Sequence, residues 1–190
     1  MTSIPGAAVT HVKIEGVVIF DLEYILVDPD CLKKALIYDI ACVHRATGQT
    51  FQCYVNPSIA DRKLRELPTP EGCRKLTKGW IRSKNPYNIR EAFQLFMQFV
   101  ARVTNYHPTP LLVSHGCFRG DKEIIRAVFQ RIKMPAPNWH FFDTLMWARN
   151  RFKKLESYSL QSLCELFHVH NESQHDALPD TMALHQLLGA

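Results

Sequence analysis

With 190 residues, 46% of them hydrophobic and 22% charged, the chain has ordinary globular composition and room for one core, which excludes a disordered, collagenous or coiled-coil protein. Lys and Arg number 23 against 18 Asp and Glu, a net charge of +5 that permits an anionic partner such as nucleic acid without requiring one. No apolar run reaches the roughly 18 residues of a membrane span, and the start MTSIPGAAVTHVKIEG lacks the basic and apolar regions of a signal peptide. The six cysteines are dispersed without a CxxC pair, so reduced thiols are expected, in an intracellular protein of cytoplasm or nucleus with no membrane partner.

Along the chain, GVVIFDL, LIYDIACV and TFQCYV read as three strands joined by short turns, an antiparallel meander. Residues 61–87 mix charges with Pro68, Pro70, Gly72, Gly79 and Pro86 and predict an irregular surface segment with at most a short helix. A helix follows at about 88–104, with Phe93, Phe96, Met97, Val100 and Val103 at helical spacing, a stripe best explained by core packing. PLLVS is a short strand, and the next helix, about Asp121 to Ile132, carries Ile124, Ile125, Val128 and Phe129 on one side. WHFFD is another strand, and Asp143 is well placed to cap a helix from Thr144; helices at about 159–167 and 177–188 close the chain. No repeat or linker marks a boundary. The expected architecture is one α/β domain over 1–190, with about 1–10 as an N-terminal extension: a mixed five-stranded sheet flanked by helices.

Three places along this pattern can carry chemistry. Asp21 and Glu23 lie two apart on the first strand, so both carboxylates leave the same face. At about 4 Å and an effective dielectric near 20 such a pair repels by about 4 kcal/mol, relieved by protons, solvent or, most fully, a divalent cation. Asp121 opens a helix after PLLVS, at the sheet edge where open α/β sheets gather ligands. HDALPD brings His175, Asp176 and Asp180 together as the last helix begins, with Asp180 able to point inward; Asp176 reads as an ordinary helix N-terminal charge.

The motifs FDLE, SHGCFRGD and HDALPD, in that order and at that spacing, resemble the DEDDh 3′→5′ exonucleases, of the ribonuclease H-like fold. PEGCRKLTKGWI, FDTLMWAR and SYSLQSLCELFHV resemble that family's intervening segments, so the likeness covers nearly the whole chain. The resemblance implies two ions, Mg²⁺ or Mn²⁺, held by Asp21, Glu23, Asp121 and Asp180, with Asp21 bridging both and His175 as the base that takes a proton from water. It implies release of nucleoside 5′-monophosphates from single-stranded 3′ ends of RNA or DNA. The chemistry is independently reasonable: hard carboxylates suit these ions, paired ions neutralise attacking and leaving oxygens, and a histidine titrates near physiological pH.

Two positions depart from the family pattern. Tyr24, Ile25, Leu26 and Val27 stand where the family has small residues, often Thr-Thr-Gly-Leu; Tyr24 would stack on the terminal base, at about 1–3 kcal/mol, or occlude the pocket, and Val27 would replace the leucine wedge. The family's His-Asn before the third acid is His115-Gly116 here, and His115 is assigned with Tyr24 and Val27 to the substrate side. Arg62, Lys63, Arg65, Arg74, Lys75, Lys78, Arg82 and Lys84, with Arg149, Arg151, Lys153 and Lys154, are either solvated faces or phosphate tracks, and Trp80 and Tyr87 either stack on bases or anchor their segment. One rival reading is an impaired module of the same fold that binds RNA, DNA or a protein partner without cutting. A second is zinc held by Cys164, His168, His170 and His175. A nucleophilic Cys117 beside His115 lacks an orienting third group.

Overall fold

Alternation along β1 (Val17–Ile25) decides the layering: Val18, Phe20 and Leu22 join one core cluster and Ile19 a second on the opposite face. The computed structural model describes residues 13–28, 30–67, 76–171 and 176–189. β2 (Leu36–His44) and β3 (Thr50–Tyr54) follow β1 as an antiparallel meander, and β4 (Leu111–Ser114) and β5 (His140–Asp143) add parallel strands on the other side. The sheet order is β3-β2-β1-β4-β5. This is the mixed five-stranded sheet flanked by helices that the pattern predicts.

The larger core lies under α3 (Ile89–Val103) and α4 (Asp121–Arg131). Phe93 and Phe96 of α3 are fully buried, and their rings meet Phe129 and Trp139 at 5.2 Å between centroids. Each such ring withdrawn from water contributes roughly 1.5–3 kcal/mol, which explains why this stripe is core. The helix starts at a capping box, in which the Glu91 N–H donates to Asn88 Oδ1 at 3.0 Å and the Asn88 N–H to Glu91 Oε2 at 3.3 Å. On the opposite face Leu184 of α7 (Ala177–Leu187) packs with Ile19, Val43 and Val113, and α6 (Leu160–Leu166) packs beside α7. α5 (Thr144–Arg151) begins where β5 ends, capped by Asp143.

Residues 61–87 differ from the expectation of at most one short helix. Their described residues hold two, α1 (Asp61–Glu66) and α2 (Lys78–Ser83). At six residues each neither is stable alone. Their stability is tertiary: Leu64 and Ile81 are buried in a third cluster with Ile25 at the end of β1, and the Thr77 hydroxyl caps α2 by accepting the Trp80 N–H at 3.1 Å. Of that segment's basic residues, Arg74 and Lys75 lie outside the described residues.

Candidate active site

β1 pairs with β4 only over Val17–Ile19, so the half of the strand that carries Asp21 and Glu23 runs on beyond its parallel neighbour. The two acids therefore stand past the β1–β4 ladder, at the strand where the sheet changes from antiparallel to parallel pairing. Strand alternation sends both carboxylates to the face covered by α7. With Leu184 seated against Ile19, Asp180 lies one helical turn nearer the α7 N-terminus, beside the strand acids. One oxygen from each of Asp21, Glu23 and Asp180 lies within 4.8 Å of the others. Asp121, the first residue of α4, is buried and follows β4; its charge is, after burial, the strongest influence on Asp21.

Electrostatics mark this cluster as uncompensated. Burial, then the charges of Asp121, Glu23, Asp180 and Asp39, push Asp21 well above the usual carboxylate range. Burial raises Glu23 to about 8, with the Asp180, Asp39 and Asp176 charges adding to it and a hydrogen bond from Tyr38 opposing it. Burial, opposed by the Ser114 hydroxyl and aided by the Asp143 charge, raises Asp121 to about 7. Burial and the mutual repulsion of the carboxylates favour the acid forms. Hard oxygen donors converging in this way fit a divalent cation, which would drive the protons off.

Three residues around the acids escaped the sequence reading. The register of β1 and β2 shifts between Glu23 and Tyr24, with Glu23 opposite Asp39 and Tyr24 opposite Ile37. Tyr38 is the extra residue of that bulge, and its hydroxyl donates to Glu23 Oε2 at 3.1 Å. Asp39 is 2% exposed; Oδ2 accepts from Gln52 Nε2 at 2.9 Å while Oδ1 has no hydrogen-bond partner among the described residues. Burial, opposed by the Gln52 bond, raises it to about 7. An acid inside the apolar run LIYDIACV was the available signal. Asn171 Nδ2 donates to Asp180 Oδ1 at 2.6 Å.

The remaining candidates fall as follows. His175 lies outside the described residues. Tyr24 is half-buried against the larger core, and its hydroxyl is 3.8 Å from where a side chain on Gly120 would begin; burial, with Asp121, Asp21 and Glu23 adding, raises it to about 12. Val27 is exposed. His115 spends both ring nitrogens on protein: Nδ1 lies 3.0 Å from Thr144 Oγ1, and Nε2 donates to the Tyr158 carbonyl at 2.8 Å. Burial lowers its pKa. Trp80 is half-buried, edge-on to Tyr38 and Tyr54, with Lys84 Nζ 5.4 Å above its ring, and Tyr87 is exposed. Arg62 and Arg65 pair with Glu66 and Asp61 along α1, and Arg149, Arg151, Lys153 and Lys154 are exposed. Among the described residues, the acids Asp21, Glu23 and Asp180 are the group that could hold a metal, not Cys164, His168 and His170.

A five-stranded sheet of this order brings acids of β1 and α7 within reach of one another, and the sequence itself assigns the family. The family profile described as RNase T exonuclease matches residues 18–188, so the chain belongs to this exonuclease family. No curated protein sequence matches it significantly. Among solved structures, an exonuclease I is similar at 16% identity with a TM-score of 0.67, covering 90% of this chain and 39% of that one. The zinc-bound E. coli exonuclease I–ssDNA complex is similar at 17% identity and a TM-score of 0.64, covering 90% of this chain and 39% of that one. The nuclease domain of 3′hExo, a DEDDh family member bound to rAMP, is similar at 15% identity and a TM-score of 0.66, covering 90% of this chain and 88% of that one. The chain thus spans about two fifths of the exonuclease I length. Among the described residues no helix is long and apolar enough to cross a membrane.

Proposed function

We propose that the protein is a 3′→5′ exonuclease that hydrolyses phosphodiester bonds at single-stranded nucleic-acid ends with two divalent cations, Mg²⁺ or Mn²⁺, releasing nucleoside 5′-monophosphates. The observation that carries this reading is the approach of Asp21, Glu23 and Asp180 to within 4.8 Å, with Asp121 close enough to raise Asp21. Asp21, Glu23, Asp121 and Asp180 would hold the cations, which when bound supply an activated water and neutralise charge on the leaving oxygen. Tyr38 would orient Glu23 through its hydroxyl, and Asn171 would orient Asp180. His175 is assigned the proton transfer, since a histidine can accept a proton near neutral pH.

Similar structures with bound oligonucleotide or rAMP support nucleic acid as the ligand class. Tyr24, beside the acids, would face the terminal sugar or base; His115, with both nitrogens engaged, would act through the loop it holds. The test is cleavage of end-labelled RNA and DNA with Mg²⁺, Mn²⁺ or EDTA, beside Asp21→Ala. Stepwise shortening from the 3′ end, abolished by EDTA and by the substitution, is expected. Tight binding of the same oligonucleotides without any cleavage would replace this reading with the non-cutting module.

A further inference from the structure

We infer that Asp143 is a positioning residue for Asp121, an inference that rests on the exonuclease reading above. Asp143 ends β5 and is 5% exposed. Its Oδ1 accepts the N–H groups of Leu145 at 2.9 Å, Gly116 at 3.0 Å and Met146 at 3.3 Å, and its Oδ2 accepts that of Phe118 at 3.0 Å. The bonds from Leu145 and Met146 are an ordinary N-cap on α5. The other two come from a different part of the chain. Gly116 and Phe118 are the cap and the second residue of a 3-10 turn, Cys117–Arg119, whose leading N–H groups have no partner inside the turn. One carboxylate therefore caps two helices.

That turn delivers the chain from β4 to Asp121. Gly120 N–H donates to the Cys117 carbonyl at 3.4 Å, and Ile124 N–H closes the first turn of α4 on the Gly120 carbonyl at 3.1 Å. Upstream, His115 is held by Thr144 and Tyr158. The path from Ser114 to Asp121 is thus set at His115, Gly116 and Phe118 by groups from residues 143–158. Gly116 has φ +77°, in the left-handed region, where glycine and asparagine are the residues tolerated most readily. The glycine in place of the family's asparagine is therefore conformationally equivalent, and the anchoring falls to Asp143. Only a carboxylate serves both sides: asparagine has one acceptor oxygen and would turn an N–H₂ toward a backbone donor.

The experiment compares the full-length wild-type chain with Asp143→Asn, Asp143→Ser and Asn88→Ala. Serine remains a competent cap for α5 but is too short to reach the turn, and it serves if Asp143→Asn does not fold. Asn88→Ala removes the remote cap of α3 and controls for lost stability. Mn²⁺ binding is measured by titration calorimetry without substrate, together with kcat and KM on a short end-labelled single strand. Residues that orient metal ligands typically change affinity or activity about 10–100-fold, and a loss in that range is expected for Mn²⁺ affinity and kcat in both Asp143 variants, with KM nearly unchanged. Asn88→Ala should melt lower yet bind Mn²⁺ like wild type. Folded Asp143 variants with wild-type Mn²⁺ affinity and kcat, or an equal loss in Asn88→Ala, overturn the inference. Wild-type protein that binds Mn²⁺ but cuts nothing overturns the exonuclease reading and leaves the Mn²⁺ affinities to decide this one; wild-type protein that does not bind Mn²⁺ overturns both.

Discussion

The middle of β1 and the end of β5 each present an aspartate, Asp21 and Asp143, and the protein treats the two in opposite ways. Around Asp21 the influences of burial and of Asp121, Glu23, Asp180 and Asp39 all push its pKa upward. Around Asp143 four backbone N–H groups converge on the carboxylate. The first carboxylate is crowded by other acids; the second is met by backbone donors. Donor supply, rather than residue type or depth, separates a site acid from a scaffolding acid.

The contrast is broken or sharpened most strongly by neutralising Asp21. Asp21→Asn should lower cleavage by at least roughly 10³-fold, since charge neutralisation at such sites is worth several kcal/mol and each 1.36 kcal/mol is tenfold. In EDTA the same variant should melt a few degrees above wild type, because like-charge repulsion is relieved. Asp143→Asn should melt below it. An Asp21→Asn protein that melts lower than wild type would erase the distinction.

The second prediction concerns pH. Glu23 at about 8 and Asp121 and Asp39 at about 7 lie above their ordinary values of 4.5, 3.8 and 3.8. The folded state therefore binds more protons than the unfolded state across that window. Their contribution to stability is full below the unfolded values and is lost as pH rises through about 7 to 8. Melting temperature in EDTA should fall from pH 5 to pH 8.5, and saturating Mg²⁺ should flatten that fall by binding the deprotonated carboxylates. The smallest effect is expected from Tyr38→Phe. Losing the 3.1 Å bond to Glu23, worth about 1 kcal/mol, should weaken Mn²⁺ binding roughly fivefold and raise Glu23 further, both readable by calorimetry across pH.

Much of this was legible along the chain. Period-two alternation placed Asp21 and Glu23 on one face, and helical spacing marked α3 and α4, because burial against a single layer leaves its period in the sequence. Asp143 was readable as the cap of α5 from local spacing alone. Its second set of donors was not, since Gly116 and Phe118 lie 27 and 25 residues away. Tyr38 was hidden because a one-residue bulge, which has no compositional signature, turns it toward Glu23. α1 and α2 were hidden because they rest on contacts with Ile25 rather than on their own propensity.

The sequence by itself determined the strands and the helices from α3 onward, the faces they bury and the acids they carry, since periodicity and capping act over a few residues. Tertiary structure alone decided that β1 outruns β4, that α7 brings Asp180 to the strand acids, and that one carboxylate caps two helices. Those outcomes depend on groups distant in the chain meeting in a medium of low polarity, where the presence or absence of a donor decides whether a buried charge is structural or calls for a cation.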